Sequence, residues 1–353
     1  MKRTFLFLFV SMLAIYGKLG YELLTDEGQL QSALKGSLSD IAEQVTAIPL
    51  MPTGYGKMEK IRDIRREGDN IFLISGDVLY RFRYTGEFLG RITDPQKIRA
   101  ATYVIDPVSR QLIVLGNVND LFYYSFGGEL LEQKKMGVDV HNQHIRSIAM
   151  YNHSIWTVEE HTQPDLATRE ICVEKKVVQY DTTFREISSY KLASAELSSK
   201  APYASYLHLE LGVTEDTGAV YAYSPILQTE KLLKDTLAIR NNGIYPVPLS
   251  YAEAINVYPL RFGRRYWFSS YHNPHDPDQT YTFCYDSDSG KSWQLSEGFK
   301  DNFYHTGPVC NLQPLDTFSN TYYYCKSGEE ARMAFPTRSN SDNPVIFIVH
   351  LKG

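Results

Sequence analysis

Two stretches of this chain repeat each other. Residues 61–92 read IRDIRREGDNIFLISGDVLYRFRYTGEFLGRI, and residues 98–133 read IRAATYVIDPVSRQLIVLGNVNDLFYYSFGGELLEQ. Each opens on an Ile-Arg strand and passes through a turn to an apolar strand. An aromatic strand, a Gly turn and a closing strand follow. Gly86 and Gly128 hold the same place in the two units. Four strands per unit, at a period of about 40–50 residues, is the signature of a propeller blade.

Later units are looser. A third opens with HIRSIAMYNHSIWTVEE (144–160) and closes with VVQYDTTFREISSYKL (177–192), around a polar insertion at 161–170. A fourth spans 203–248, with SYLHLELGV, AVYAYS and KDTLAI as its strands. A fifth spans 257–296, from VYPLRF through RRYWFSSY and TYTFCYD to KSWQLS. A sixth runs from VCNLQPL (309–315) through TYYYCKS to NPVIFIVHL (343–351). The fold expected is all-β: a six-bladed β-propeller of four-stranded antiparallel blades over residues 45–353. VTAIPL (45–50) precedes the first unit and is expected to pair with the C-terminal strand, so that neither end leaves an open edge. The alternatives are a sandwich pair, which needs no four-strand repeat, and a seven-bladed ring, for which no further strands are found.

Composition agrees. There are 26 Tyr and 17 Phe against 3 Trp, and Tyr and Phe suit pleated, half-buried surfaces. The net charge of −5 with no long basic run argues against nucleic acid, whose phosphates need a clustered positive face. Lys2 and Arg3 precede an apolar stretch, TFLFLFVSMLAI (4–15), too short to span a bilayer and suited to a signal peptide over residues 1–20. No transmembrane helix is therefore expected in the mature chain. Residues 21–44 read as a leader, with Leu30, Leu34, Leu38 and Ile41 at helical spacing between 26 and 44. The four cysteines, 172, 284, 310 and 325, form no CxxC pair. Cys310 and Cys325 fall on neighbouring strands, as a disulfide or as two thiols.

Three segments resemble exported six-bladed propellers of Bacteroides-type bacteria, related in shape to NHL and TolB-like propellers. They are GDNIFLISGDVLYRFRYTGEFLGRI (68–92), GFKDNFYHTGPVCNLQPL (298–315) and SDNPVIFIVHLKG (341–353). The resemblance implies an exported, periplasmic or cell-surface protein of a Gram-negative bacterium. Members often carry a lipoprotein Cys, which no residue near this N-terminus supplies. DSDSGKSW (286–293) is also similar to the Asp-box of sialidase propellers, with Asp286 and Ser292 substituted for its Ser and Thr. Its role is structural: Asp288 accepts turn N–H groups, Gly290 takes a positive φ and Trp293 packs between strands.

Ligand groups in such a ring gather where last-to-first and second-to-third connections meet, because loops vary while blades stay rigid. The candidate binding residues are His141, Asn142, His144, Tyr251, Asp301, Asn302 and His305. Asp139 and Tyr304 lie in the same loops. HNPHDPD (272–278) offers His272, His275, Asp276 and Asp278 as metal ligands, although two prolines mark it as a turn and no helix fixes the histidines. No cofactor is expected; a divalent metal is the one cofactor these residues allow. The sequence has no G-x-S-x-G elbow, P-loop or G-x-G-x-x-G, and Thr53-Gly54-Tyr55-Gly56 reads as a turn. The expected function is a monomeric binding or scaffold module for a peptide, glycan or partner protein. The alternatives are a channel-sited, metal-dependent hydrolase or lyase of sialidase or lactonase type, and a surface protein acting only within a larger complex.

Overall fold

The computed structural model describes residues 36–353, apart from 59, 118–119, 136–142, 152, 166–169, 199–209, 215–218, 225–228, 233–260, 263–264, 274–275, 287, 290–291, 296, 316–319, 333 and 336–342. The expected signal peptide and the leader up to residue 35 lie outside the described residues.

A single helical turn, α1 (Leu38–Ile41), leads into strand β1 (Ala42–Pro49). The strand starts where helical spacing was expected to continue, because Ala42 to Pro49 pair antiparallel with the C-terminal strand. A ladder with a buried partner outweighs local helix propensity. The first sheet is β2 (Ile61–Glu67), β3 (Asn70–Ser75), β4 (Val78–Arg83) and β5 (Phe88–Arg91). The second is β6 (Ala100–Asp106), β7 (Gln111–Gly116), β8 (Asp120–Ser125) and β9 (Leu130–Lys135). The third is β10 (Gln143–Tyr151), β11 (Ser154–Asp165), β12 (Glu170–Tyr180) and β13 (Glu186–Ser198). Each is a four-stranded antiparallel meander in chain order.

The fourth sheet has three described strands, β14 (Glu210–Thr214), β15 (Ala219–Ser224) and β16 (Thr229–Leu232). The expected strand KDTLAI lies outside the described residues, and β16 pairs with β15. The fifth is β17 (Arg261–Phe262), β18 (Tyr266–Asn273), β19 (Asp276–Asp286) and β20 (Ser292–Leu295). A short pair, β21 (Phe299–Lys300) and β22 (Pro308–Val309), precedes β23 (Gln313–Pro314) and β24 (Thr321–Lys326). Helix α2 (Gly328–Ala331) and strand β25 (Val345–Leu351) end the chain. The last sheet has the order β1-β25-β24-β23, so the two ends of the described chain share one sheet. The register, Val45 opposite Val349 and Ile48 opposite Ile346, is the pairing expected of VTAIPL.

Inner strands of these sheets are apolar on both faces. Along β3, Ile71 and Leu73 belong to a core shared with the last sheet, while Phe72 and Ile74 belong to one shared with the second. Along β7, Leu112 and Val114 face the first sheet, and Ile113 and Leu115 face the third. In β25, Ile346 and Ile348 face the first sheet, and Phe347 and Val349 face the fifth. A strand sends successive side chains to opposite faces, so a continuous apolar run needs a sheet on each side. The first strands of successive sheets also lie side by side: β2 with β6, β6 with β10, β10 with β14, and β14 with β17.

The third-to-fourth turns repeat atom for atom. Arg83 N donates to Glu87 O, Ser125 N to Glu129 O, and Asp181 N to Arg185 O. Gly86, Gly128 and Phe184 occupy the left-handed position, with φ of 89°, 88° and 63°. Three residues after that position, each fourth strand carries a bulge at an aliphatic residue: Leu89, Leu131 or Ile187. The polar insertion at 161–170 contains strand. His161 to Asp165 pair with Glu174 to Glu170, so β11 and β12 continue as one tall hairpin.

Gly86 is required twice over. Its φ is positive, and a Cβ there would lie 2.1 Å from the Pro49 carbonyl oxygen of β1. Gly76 has a φ of 58° with nothing within 4 Å of that position. Gly86→Ala is therefore expected to cost about 3 kcal/mol in urea unfolding and Gly76→Ala about 1 kcal/mol. Equal costs would show that the turn does not press on β1.

Candidate functional site

In an antiparallel meander, the second-to-third turns and the last-to-first connections leave from the same end of the sheet. At that end the described residues include the short loop 93–97 and the longer loop 298–308. Gly298 opens the longer one at φ 77°, where a Cβ would meet the Val309 carbonyl oxygen at 2.3 Å. The β21–β22 pairing then draws its stems together.

Asp301 ties the loop from within. Its Oδ1 accepts the Phe303 and Tyr304 N–H groups, both at 3.0 Å. Its Oδ2 accepts from the Thr306 N–H at 3.1 Å, the Thr306 hydroxyl at 2.6 Å and the Tyr324 hydroxyl at 3.2 Å. Burial alone would push this carboxyl up, but the donors from Thr306, Tyr304 and Phe303 hold it below the usual carboxylate range. Asn302 accepts the Ser39 N–H at 3.1 Å and donates to its hydroxyl at 2.7 Å, which fixes α1 against the loop. Asp301 and Asn302, expected to meet a ligand, are spent on holding the loop.

His305 differs. It is exposed, with a φ of 58°, a left-handed conformation that costs a side-chain-bearing residue about 1 kcal/mol. With Phe303, Tyr304 and Ala334 it lines an open hollow of about 410 Å³. The Tyr304 ring stacks on Phe335 at 5.8 Å and meets the edge of Phe347 at 5.3 Å. The nearby Lys326 amine is committed to the Pro308 carbonyl at 2.7 Å and to Glu330 at 3.4 Å. Ala334 and Phe335 follow α2 and reach the loop only through the fold, so sequence spacing gave no signal for them.

The other candidates are dispersed or undescribed. His141, Asn142, Tyr251 and His275 lie outside the described residues, as does Asp139. His144 pairs with Glu160 in β10, and His272, Asp276 and Asp278 are strand positions of a β18–β19 hairpin. The expected turn in HNPHDPD is thus narrower than the motif, because both strands run into it. Among the described residues, no group of three His, Cys, Asp or Glu side chains is arranged to hold a metal. Cys310 and Cys325 are both free, and burial pushes the Cys325 thiol up to about 12.

The Asp-box-like turn is structural, but through Asp286 rather than Asp288. Asp286 accepts the Asp288 and Ser289 N–H groups at 3.0 and 3.4 Å and the Ser289 hydroxyl at 2.7 Å. The Arg265 guanidinium grips it with two bonds of 2.8 Å and, with the Ser289 hydroxyl, holds it well below the usual range. Asp288 is exposed, and Trp293 is buried as expected.

Arginines staple the first strands together, where sequence reasoning assigned them no role. Arg62 donates to the Ala101 and Ala100 carbonyls at 2.5 and 2.9 Å, and Arg65 to the Ile148 carbonyl at 3.4 Å. These carbonyls belong to β6 and β10, whose edges lack a further strand to satisfy them.

Asp301→Ala is expected to lower stability by about 3 kcal/mol, since it strands several buried donors. Because the folded carboxyl is held low, its contribution is present above about pH 4, the unfolded value, and fades as the pH falls through the folded one. Urea unfolding of both proteins from pH 7 to pH 3 measures this; a gap that widens with acid would contradict it.

No protein-family profile matches the chain, and no curated protein is significantly similar to it. Solved structures do superpose. A Bacteroides fragilis protein assigned as exported matches with a TM-score of 0.60 at 12% identity, over 90% of this chain and 97% of its own. A luciferin-regenerating enzyme matches at 0.47 and 9% identity, over 88% and 97%. The β-propeller domain of Myceliophteria thermophila Cps50 matches at 0.44 and 9%, over 87% and 100%. At such identities likeness concerns fold alone, and of these three the first, above 0.5, bears on it.

Proposed function

We propose that this chain is an exported six-bladed propeller that binds a peptide, glycan or partner protein at the mouth formed by its last-to-first loops. Five described meanders in chain order and a last sheet that joins the two ends support the blade number, with β1 and β25 as the clasp. The likeness to a Bacteroides fragilis protein assigned as exported supports export, and no helix among the described residues is long and apolar enough to cross a membrane. A single ring of this kind suits a monomer.

The observation that carries the binding reading is the 303–305 hollow. Its neighbouring charges are already committed to the fold, while its aromatic walls are partly open and His305 is held in a costly conformation. Strain at an exposed polar residue beside a hollow is a mark of a functional position. Aromatic walls give contact area to a sugar ring or an apolar side chain, and the imidazole supplies a directional hydrogen bond.

Glycan and peptide arrays probed with the whole protein test this. His305→Gly removes the side chain and the strain together, so stability is expected to change by less than about 1 kcal/mol. Retention of the array ligand is expected to weaken at least about ten-fold. Equal retention by the variant, or none by the wild type, would remove the hollow as the site. Turnover of the retained compound would assign a hydrolase or lyase instead.

A further inference from the structure

The first strands of three successive sheets share an irregularity. Each carries a bulge: between Arg62 and Arg65 in β2, between Ala100 and Thr102 in β6, and between Ile145 and Ser147 in β10. These strands lie side by side, and bulges of this kind re-aim side chains next to ligand sites. In β2 the bulge turns the chain left-handed at Asp63, with a φ of 56°. That conformation is disfavoured for a residue with a Cβ. The fully buried Tyr103 holds it in place, its hydroxyl standing 2.8 Å from both the Asp63 and the Phe72 carbonyl oxygens.

The bulge brings a carboxylate and a guanidinium together without joining them. Asp63 Oδ2 accepts the Thr102 hydroxyl at 2.6 Å, whereas Oδ1 stands 3.7 Å from Arg65 Nη2. The Arg265–Asp286 pair of the same protein closes with two bonds of 2.8 Å. Arg65 makes one long bond, 3.4 Å from Nη2 to the Ile148 carbonyl, and lies over the Tyr103 ring, 5.2 Å from its centre. Among the described residues, Asp63 Oδ1 and Arg65 Nε and Nη1 have no hydrogen-bond partner. The two side chains are 27% and 25% exposed, so both reach solvent. Arg62 is spent on the Ala100 and Ala101 carbonyls.

We infer that Asp63 and Arg65 form a receptor for an uncharged amide group of a bound peptide. The amide N–H donates to Asp63 Oδ1, and its carbonyl oxygen accepts from the open side of the Arg65 guanidinium. One carboxylate and one guanidinium carry no net charge between them, so a neutral group with a donor beside an acceptor matches them. A sugar diol offers the same pair of functions. Sugar rings, however, rest on an open aromatic face, and the ring at this place, Tyr103, is buried with Arg65 laid over it. The receptor lies on the first strands and does not draw on loop 298–308.

Backbone-amide NMR of the whole protein tests this, with acetyl-glycyl-glycine amide as the peptide probe and methyl glucoside as the diol probe. The peptide probe is expected to shift the Asp63, Arg65 and Thr102 resonances and to saturate at millimolar concentration, and the glucoside to leave them in place. Asp63→Gly removes the carboxylate and the left-handed strain together, so it is expected to melt within about 4 °C of the wild type. Its binding of the peptide probe is expected to weaken at least about ten-fold. Arg65→Lys keeps the charge but loses the planar fork, and is expected to weaken binding about three-fold or more. If Asp63→Gly does not fold, Arg65→Lys carries the test alone. No saturable shift in the wild type, undiminished binding by the folded variants, or a response to the glucoside at the same residues would overturn the receptor.

Discussion

The structure depends on strands that are apolar on both faces. β3, β7 and β25 each send alternate side chains into two different cores. A sheet built around such a strand cannot stand alone or at the end of a stack, since one face would be left in water. Each buried Ile, Leu, Val or Phe contributes about 1.5–3 kcal/mol only while its neighbouring sheet is present. The demand links the third, second, first, last and fifth sheets, and Ile71 and Leu73 of the first need β25. Sharing one sheet between β1 and β25 meets that demand and covers the outer edge of β25.

Once the sheets are stacked, two kinds of short-range contact set their spacing. Gly86 and Gly128 allow a turn of one sheet to touch the last strand of the previous sheet, against Pro49 and against Arg91 and Ile92. Arg62 and Arg65 satisfy carbonyls of the next first strands. The loops at the mouth then divide into fixed and available parts. Asp301, Asn302 and Lys326 are consumed by intramolecular bonds, whereas His305 keeps its imidazole outward at a conformational cost.

Much of this was legible because the chemistry of a repeated four-stranded meander is local. Residues 61–92 and 98–133 carry their turn signals in sequence, and Gly86 and Gly128 prove equivalent in hydrogen bonding as well as in spacing. The third unit was harder: Phe184 fills the glycine position, and the polar character of 161–170 hid residues that continue the β11–β12 pairing. The candidate site was half legible. Loop 298–308 was found from its place between units, but spacing cannot tell a carboxylate that binds its own loop from one that awaits a ligand. That distinction separated Asp301 from His305, and in the Asp-box-like turn it moved the structural role from Asp288 to Asp286.

The central claim is that the two ends of the described chain belong to one cooperative sheet. Native-state hydrogen exchange of the hydrogen-bonded amides in β1, compared with those of β25 and β3, tests it most directly. If the clasp is integral, Val45 to Ile48 exchange only with global unfolding and share the protection of Phe347 to Val349 and of Leu73. Exchange in β1 that is orders of magnitude faster, while β25 and β3 stay protected, would contradict the account.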